Sequence, residues 1–494
     1  MLKSKYTFVV VVLILGLITS AYPAFAGQIA VESFAGSGGR GYQDGSRLKA
    51  NFSIPYGITP DKQGNLLAAD SYNHCIRKIV GGQATTVAGF FDIKDAFGLP
   101  VGALVDGDAL KARFNRPRDI AVDSKGDIYV ADTLNHVIRK IFGGKVYTFA
   151  GTGESGYQDG KGDKAKFNHP SGLAIDGEDN LYVTDTLNHV IRMVTPKGEV
   201  TTFAGKHSTQ GGYQDGDMKT ALFNEPADLD MDKDGALYIV DSGNQLIRKA
   251  YEGKVTTFAG SRGALMEGTD YAQGGFSDGY AASFNFPKGI DVTEDGAILV
   301  ADTWNHAVRR IEKDGKVVTV VGTGKPGNTN GVLSDAALNG PVDVLYYSGN
   351  LYISDMWNNS IKVMPYDIQQ NTQSIDIEQM VQSINYQPVS DEIQIWVNGK
   401  QVEFPDVKPY IKDGKTFMPL RFIVEACGAQ VKWHDTTQQV QLIEKDFSTF
   451  ATLNDDTLKL ENGRTMVHVR YLADSLGYKI KWVPEHSAVV ISTK

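Results

Sequence analysis

Acidic, amide and imidazole side chains recur at fixed spacing through most of the chain, and such groups can bind metal ions. Six aspartates are each followed three residues later by asparagine, and in four copies a histidine comes next: Asp70, Asp132, Asp185, Asp241, Asp302 and Asp355. A residue needed once for catalysis is not repeated in every structural unit, so the repetition favours a structural role. We therefore expect each aspartate to accept N–H groups of the turn after it, with the arginine or lysine seven residues on lying close across a hairpin.

These residues belong to a module that occurs six times. Its proline falls at Pro55, Pro117, Pro170, Pro226, Pro287 and Pro341. Each copy predicts four short strands, seen in one copy as residues 119–122, 128–131, 137–142 and 146–150. Six copies of four strands predict a six-bladed β-propeller. The last copy has no fourth strand, whereas residues 31–36 before the first copy match one, so we expect the N-terminal strand to close the propeller.

The segment Asp132-Thr-Leu-Asn135-His136-Val-Ile-Arg139 and its counterparts resemble the NHL repeat, over about residues 28–366. Copies four and six depart from the pattern, with Gln245 and Asn359 in place of histidine. The resemblance extends to a zinc-dependent amidating lyase, whose metal is held by histidines that converge on the central channel. Outside the periodic positions only His169 and His207 remain in the propeller, too few for a three-histidine zinc site.

A second set of carboxylates occurs on alternate copies. Two residues after the proline the copies read in turn Gly57, Asp119, Gly172, Asp228, Gly289 and Asp343. The three aspartates would begin innermost strands near one mouth of the channel, where pseudo-threefold carboxylates could hold a hard cation such as calcium with water. The alternatives are that each aspartate caps a local turn, or that the channel holds only water. Asp119, Asp228 and Asp343 are thus the candidate metal site, and no catalytic or cofactor-binding residue is assigned.

The C-terminal region carries a different repeat. Residues 414–433 and 463–482 each predict a strand, a short helix and a second strand, with Arg421 and Arg470 at equivalent positions. The pair resembles the copper amine oxidase N-terminal-like domain, over about residues 391–494. The resemblance implies a small α+β accessory module common on exported proteins of Gram-positive bacteria, without the copper-bearing catalytic domain.

The first residues predict export. Lys3 and Lys5 precede an apolar run, and residues 24–26 supply a small-x-small cleavage site. We therefore expect a signal peptide at 1–26, the propeller at 27–366, a linker at 367–390 and the α+β domain at 391–494, with no membrane span after cleavage. A net charge of −9 argues against a nucleic-acid partner. Two cysteines, Cys75 and Cys427, exclude a disulfide framework.

Together these features favour a secreted, extracellular or cell-wall-associated scaffold over an enzyme. We expect a mainly β chain whose propeller binds a protein or glycan ligand at the cell envelope, and whose C-terminal module attaches to the envelope or to a partner. This interpretation requires no cofactor. The alternatives are a calcium-dependent, lactonase- or lyase-like propeller enzyme and a structural surface-layer component. The longest irregular insertions, residues 90–105 and 262–275, should carry any specificity.

Overall fold

The structure is a computed structural model that describes residues 30–333, 335–366 and, with short gaps, 393–492. The predicted signal peptide and the predicted linker lie outside these residues. Within the described part of the chain, no helix is long and apolar enough to cross a bilayer.

Residues 30–366 form six antiparallel sheets, numbered here 1 to 6 by the chain order of their first strands. The first strands are Pro55–Pro60, Pro117–Val122, Pro170–Ile175, Pro226–Met231, Gly289–Val292 and Pro341–Tyr347. The second strands are Leu66–Asp70, Ile128–Asp132, Leu181–Asp185, Leu237–Asp241, Ile298–Asp302 and Asn350–Asp355. The third strands are Cys75–Val80, Val137–Phe142, Val190–Val194, Leu246–Tyr251, Ala307–Ile311 and Ser360–Pro365. The fourth strands are Gln83–Ala88, Lys145–Ala150, Glu199–Ala204, Lys254–Ala259, Val317–Val321 and, in sheet 6, Ala30–Ala35.

The sequence prediction of four strands was incomplete. In five sheets a two-residue strand lies outside the fourth strand: Gly45–Ser46, Gly107–Asp108, Gly160–Lys161, Gly216–Asp217 and Gly331–Val332. Each of these short strands starts with the glycine of an Asp-Gly or Asn-Gly pair. Such pairs indicate a turn, so the sequence did not predict their pairing with the fourth strand. In sheet 5 a single bridge between Gly279 and Val317 takes this place. First strands also begin earlier than predicted, at Pro117 in sheet 2, because the proline already lies opposite Asp132.

Between the second and third strands runs a single 3-10 turn: Ser71–Asn73, Thr133–Asn135, Thr186–Asn188, Ser242–Asn244, Thr303–Asn305 and Met356–Asn358. The third and fourth strands of sheet 2 are joined by Gly143 and Gly144, whose φ angles of 58° and 73° suit a tight hairpin with the twist of its strands.

The hydrophobic core lies between neighbouring sheets. Between sheets 1 and 2 it includes Leu67, Ile76, Phe114, Ile120 and Val130. The second strands are buried almost throughout because both of their faces pack against other sheets. First strands lie beside one another in chain order, and the first strand of sheet 6 lies beside that of sheet 1. The N-terminal strand pairs with Ser360–Pro365, with Glu32 opposite Val363.

The described C-terminal residues form three small sheets and the helix Leu420–Ala426. The first sheet joins Lys400–Gln401, Gln394–Val397, Ala488–Ser492 and Lys479–Val483; the second joins Tyr410–Lys412, Lys415–Pro419, Arg464–His468 and Leu458–Glu461; the third joins Gln430–His434, Gln439–Glu444 and Phe447–Thr452. Met418 and Val467 pack with the helix in one core. The predicted strand–helix–strand order is present in the first repeat, whereas most of the predicted second helix lies outside the described residues.

Candidate functional site

The periodic aspartates are bound within their own sheets. In sheet 2, Asp132 is fully buried, and its Oδ2 accepts hydrogen bonds from Nη1 of Arg139 and Nδ2 of Asn135, both at 2.8 Å. Its Oδ1 accepts the backbone N–H of Asn115 at 2.6 Å. The predicted contact with arginine is present. The predicted bonds from backbone N–H groups of the following turn are wrong: the turn contributes the side chain of Asn135, and the backbone N–H comes from the segment that leads into the first strand, because Asp132 lies opposite Pro117.

The Asp-Gly element completes this network. Asp106 Oδ1 lies 2.6 Å from Nη2 of Arg139, and Asp106 Oδ2 accepts the N–H of Thr148 at 2.9 Å. Burial raises the pKa of Asp132 to about 6, although the Arg139 charge acts to lower it. Each arginine of this kind thus joins an inner and an outer aspartate, as it does in sheets 1, 3, 4 and 5.

The residue that follows the periodic asparagine links each sheet to the next. Its backbone is left-handed, with φ of 55° at His136, and its side chain accepts the N–H of the residue before the next module's proline. The acceptor and donor pairs are His74 and Arg116, His136 and His169, His189 and Glu225, Gln245 and Phe286, His306 and Gly340, and Asn359 and Ile54. Gln245 and Asn359 therefore keep the acceptor that histidine provides elsewhere.

A central pocket lies where the six first strands meet. Its lining includes Asp119, Asp228 and Asp343, so the structure brings the three predicted carboxylates together. Each accepts the N–H of a residue in the next sheet: Leu173 at 2.7 Å for Asp119, Ile290 at 3.0 Å for Asp228 and Ile58 at 2.7 Å for Asp343.

The glycines of the alternation make room for these carboxylates. A Cβ atom at Gly57 would clash with Oδ1 of Asp119, and one at Gly172 would clash with Oδ1 of Asp228. A Cβ at Gly289 would lie 2.5 Å from the Val342 carbonyl oxygen. Glycine on one sheet and aspartate on the next are thus one packing unit.

Among the described residues the pocket carboxylates have no arginine partner, unlike the periodic aspartates of sheets 1 to 5. Burial raises the pKa of Asp119 to about 7, and burial together with the charges of Asp119 and Asp343 raises that of Asp228 well above its usual range. Asp230 lies further along the strand of Asp228, and Asp291 lies on the first strand of sheet 5. Burial raises the pKa of both, that of Asp230 to about 6.

Sequence reasoning missed Asp230 and Asp291. Side chains alternate along a strand, so Asp230 lies on the same side as Asp228. This spacing could have predicted Asp230 from the sequence. Over the described part of the chain, no group of three or more His, Cys, Asp or Glu side chains has an arrangement suited to a metal ion. The cation stays a prediction.

Two cationic side chains also line the pocket. Arg118 belongs to sheet 2 and Lys288 leads into sheet 5. Burial and the charge of Arg118 lower the pKa of Lys288 to about 8. Neither cation has an ion pair or a side-chain hydrogen bond among the described residues; Arg118 lies 5.3 Å from the ring of Tyr56.

An aromatic wall, defined as Phe286, Trp304 and Trp357, stands beside Lys288. Its ring centroids are 5.8 Å and 6.2 Å apart in that order. Trp304 is 57% exposed and Trp357 is 41% exposed. The signal in the sequence was the middle residue of the 3-10 turn, which is tryptophan only in sheets 5 and 6.

Both predicted insertions reach the segments that lead into the pocket. In the first, the Pro100 carbonyl oxygen lies 3.0 Å from Nε2 of His74, whose Nδ1 accepts the N–H of Arg116. In the second, Tyr271 donates to Glu225 at 2.5 Å. They contact sheets 1 and 2 and sheets 4 and 5, respectively.

Comparison with protein families supports both sequence resemblances. The NHL repeat model matches residues 114–141 and 284–311. The chain carries NHL repeats. The copper amine oxidase N-terminal domain model matches residues 396–462 and 453–494 of the same NHL-repeat chain, so the C-terminal module is of that type.

Relatives of the NHL repeats occur in larger proteins. The chain is 28% identical over 287 residues to Suppressor of quenching 1 of Arabidopsis thaliana, covering 55% of this chain and 27% of that protein. It is 27% identical over 285 residues to NHL repeat-containing protein 2 of Bos taurus, covering 50% and 38%. A solved protein of unknown function from Bacteroides thetaiotaomicron superposes with a TM-score of 0.51 at 21% identity, covering 68% of this chain and 76% of that one. The NHL repeats have a propeller fold.

Proposed function

We propose that this protein is an exported, non-catalytic binding scaffold at the cell envelope. In this proposal the six sheets are blades of one propeller closed by Ala30–Ala35, residues 1–26 are a signal peptide, and residues 391–494 attach to the envelope or to a partner after a linker at 367–390. The ligand is a glycan or a protein bound at the central pocket.

The observation that carries the proposal is the contrast between polar groups in the repeat and at the pocket. In the repeat, the periodic aspartates and arginines of sheets 1 to 5 form ion pairs, and the residue after each periodic asparagine accepts an N–H of the next sheet. At the pocket, by contrast, Arg118 and Lys288 lack such partners among the described residues, and the aromatic wall exposes two indole rings beside them. Exposed aromatic surface next to a polar pocket is typical of ligand sites.

The test is binding of the full chain to purified peptidoglycan and to an array of immobilised oligosaccharides. We expect the wild type to be retained, the Trp304→Ala/Trp357→Ala double variant to lose retention, and Phe142→Ala to behave as wild type. Phe142 is the matched control because it is 57% exposed, like Trp304, at a hairpin remote from the first strands. No retention of the wild type would contradict a glycan ligand, and equal retention of the double variant would contradict glycan binding at the pocket.

A second candidate is the calcium-dependent lactonase- or lyase-like enzyme. The observation in its favour is the convergence of Asp119, Asp228 and Asp343 on one pocket, with pKa values raised by burial and mutual repulsion. Calcium titration of the full chain by calorimetry, beside the Asp119→Asn/Asp228→Asn/Asp343→Asn variant, tests it. Stoichiometric binding lost in the variant supports the ion site, and no heat in either protein removes it.

A further inference from the structure

We infer that Arg118 and Lys288 form an anion-binding site at the central pocket, and that its ligand is an acidic oligosaccharide whose carboxylate lies between the two cations while a sugar ring packs on the aromatic wall. The inference rests on the proposed binding function and names the class of ligand.

The two cations lie in the same pocket. They come from sheets 2 and 5, three positions apart in the order of six, and both line the pocket. Their charges are close enough that Arg118 contributes to lowering the pKa of Lys288. Like charges that are partly buried together, with no ion pair to either of them among the described residues, are unfavourable, and an anion between them would remove that repulsion.

The acids near the two cations already accept hydrogen bonds from other groups. Glu225, the acid whose charge acts on Lys288, accepts the hydroxyl of Tyr271. Asp119, Asp228 and Asp343 each hold a backbone N–H of the next sheet. Burial favours the protonated form of these three groups, so their repulsion of an incoming carboxylate is reduced.

One common way of binding a peptide is excluded at this pocket. Backbone nests capture the terminal carboxylate of peptides with N–H groups. At this pocket the N–H groups of Ile58, Leu173 and Ile290 are already taken by the aspartates. Recognition of an anion therefore depends on the side chains of Arg118 and Lys288.

The aromatic wall is the surface on which the sugar rings of the ligand would pack. The Phe286 ring lies 6.0 Å from Nζ of Lys288, so the aromatic wall begins where the anion site ends. Indole faces pack against the C–H faces of sugar rings. The pocket has a cavity volume of about 20 Å³, which is room for about one water-sized group, so it can take a single carboxylate group but not a sugar ring. The rest of an oligosaccharide would lie along the exposed rings of Trp304 and Trp357.

Two further arginines lie near the segments that lead into the first strands of sheets 1 and 2. Arg116 is exposed, with its guanidinium 4.2 Å from the ring of Tyr72, and Arg40 lies 5.4 Å from that ring. Neither makes an ion pair among the described residues. These arginines would attract an anionic ligand to the pocket at low ionic strength.

The experiment is calorimetric titration of the full chain with trigalacturonic acid, its methyl ester, maltotriose and sodium phosphate. We expect trigalacturonic acid to bind, and its methyl ester and maltotriose to bind about tenfold or more weakly, because a charge-assisted hydrogen bond contributes roughly that factor or more. Lys288→Met and Arg118→Met should each weaken trigalacturonic acid by a similar factor. Lys233→Met is the matched control, since Lys233 is an exposed lysine in sheet 4, beyond the end of its first strand.

The outcomes separate this inference from the proposed function. Equal binding of acid, ester and maltotriose, unchanged in both variants, keeps the binding function and overturns the anion site. If none of the three sugars binds and the array test is also negative, glycan binding itself fails, and the anion site fails with it. If phosphate binds as tightly as trigalacturonic acid, and Trp304→Ala/Trp357→Ala weakens neither, the oligosaccharide assignment is overturned. Near-ultraviolet circular dichroism of each variant confirms that it is folded.

Discussion

Two sets of aspartates lie within the same repeats, and their surroundings differ. Asp132 and its counterparts in sheets 1, 3, 4 and 5 are each paired with a buried arginine and an asparagine. Asp119, Asp228 and Asp343 occur on alternate sheets and bind only backbone N–H groups. The first set is neutralised by arginine inside sheets 1 to 5, whereas the second concentrates acid at one place.

The difference separates structure from specificity. A network that occurs in each repeat stabilises the repeat, because every sheet has the same need. Residues that break the repeat, such as Lys288 and Trp304, can differ because no neighbouring sheet requires them. Substitutions in each group test this division between residues that stabilise the repeat and residues that bind a ligand.

The largest effect is expected for Asp132→Ala. It leaves the guanidinium of Arg139 fully buried beside one remaining acid, Asp106, and loss of one member of a buried pair costs about 3–5 kcal/mol. Denaturant unfolding of the full chain, followed by tryptophan fluorescence, measures the loss. Asp106→Asn is the milder comparison, at about 1 kcal/mol, because its carboxylate is 46% exposed. Equal losses for the two variants would refute the buried-pair explanation.

The next effect is expected for Gly57→Ala. The new methyl group would meet Asp119 and the Arg118 carbonyl oxygen, 2.8 Å away, and overpacking of this kind costs about 1–3 kcal/mol. Gly177→Ala is the matched control, since no atom lies within 4 Å of its Cβ position. Thermal unfolding of both variants gives the comparison. If Gly57→Ala is as stable as Gly177→Ala, the glycine is not needed for the carboxylate beside it.

The sequence predicted the repeats well because their signal is periodic. Proline positions, the Asp–Arg spacing and the strand alternation are each repeated, so an error in one copy is corrected by the others. It also selected Asp119, Asp228 and Asp343, since their alternation departs from the period in an orderly way. Lys288, Trp304 and Trp357 were missed because each occurs at a position that varies among the copies. Only the structure shows that Lys288 lines the pocket and that the two indole rings are neighbours.

A smaller effect is expected in the pH dependence of stability. The native pKa values of Asp119, Asp228 and Asp343 are raised, so between about pH 4 and 7 the folded state holds more protons than the unfolded state and stability falls as pH rises. The Asp119→Asn/Asp228→Asn/Asp343→Asn variant lacks this loss. Relative to the variant, the wild type should lose on the order of 1 kcal/mol between pH 5 and 7, a small loss because the pocket opens to solvent, which screens the charges.

Calorimetric unfolding at pH 5, 6 and 7 measures that difference. His169, whose pKa burial lowers to about 4, titrates in the opposite sense but is present in both proteins, so its contribution cancels in the comparison. Parallel pH profiles would mean that the pocket carboxylates titrate normally and that the two sets of aspartates do not differ electrostatically.

The smallest effect on stability is expected for Trp304→Ala. Its indole is 57% exposed, and exposed substitutions away from buried networks usually change stability by less than about 0.5 kcal/mol. Thermal unfolding should therefore hardly move, while retention of glycan by the same variant decreases. A large loss of stability would place Trp304 among the structural residues of the repeat. The division between repeated residues that stabilise and unrepeated residues that bind would then fail at its most exposed member.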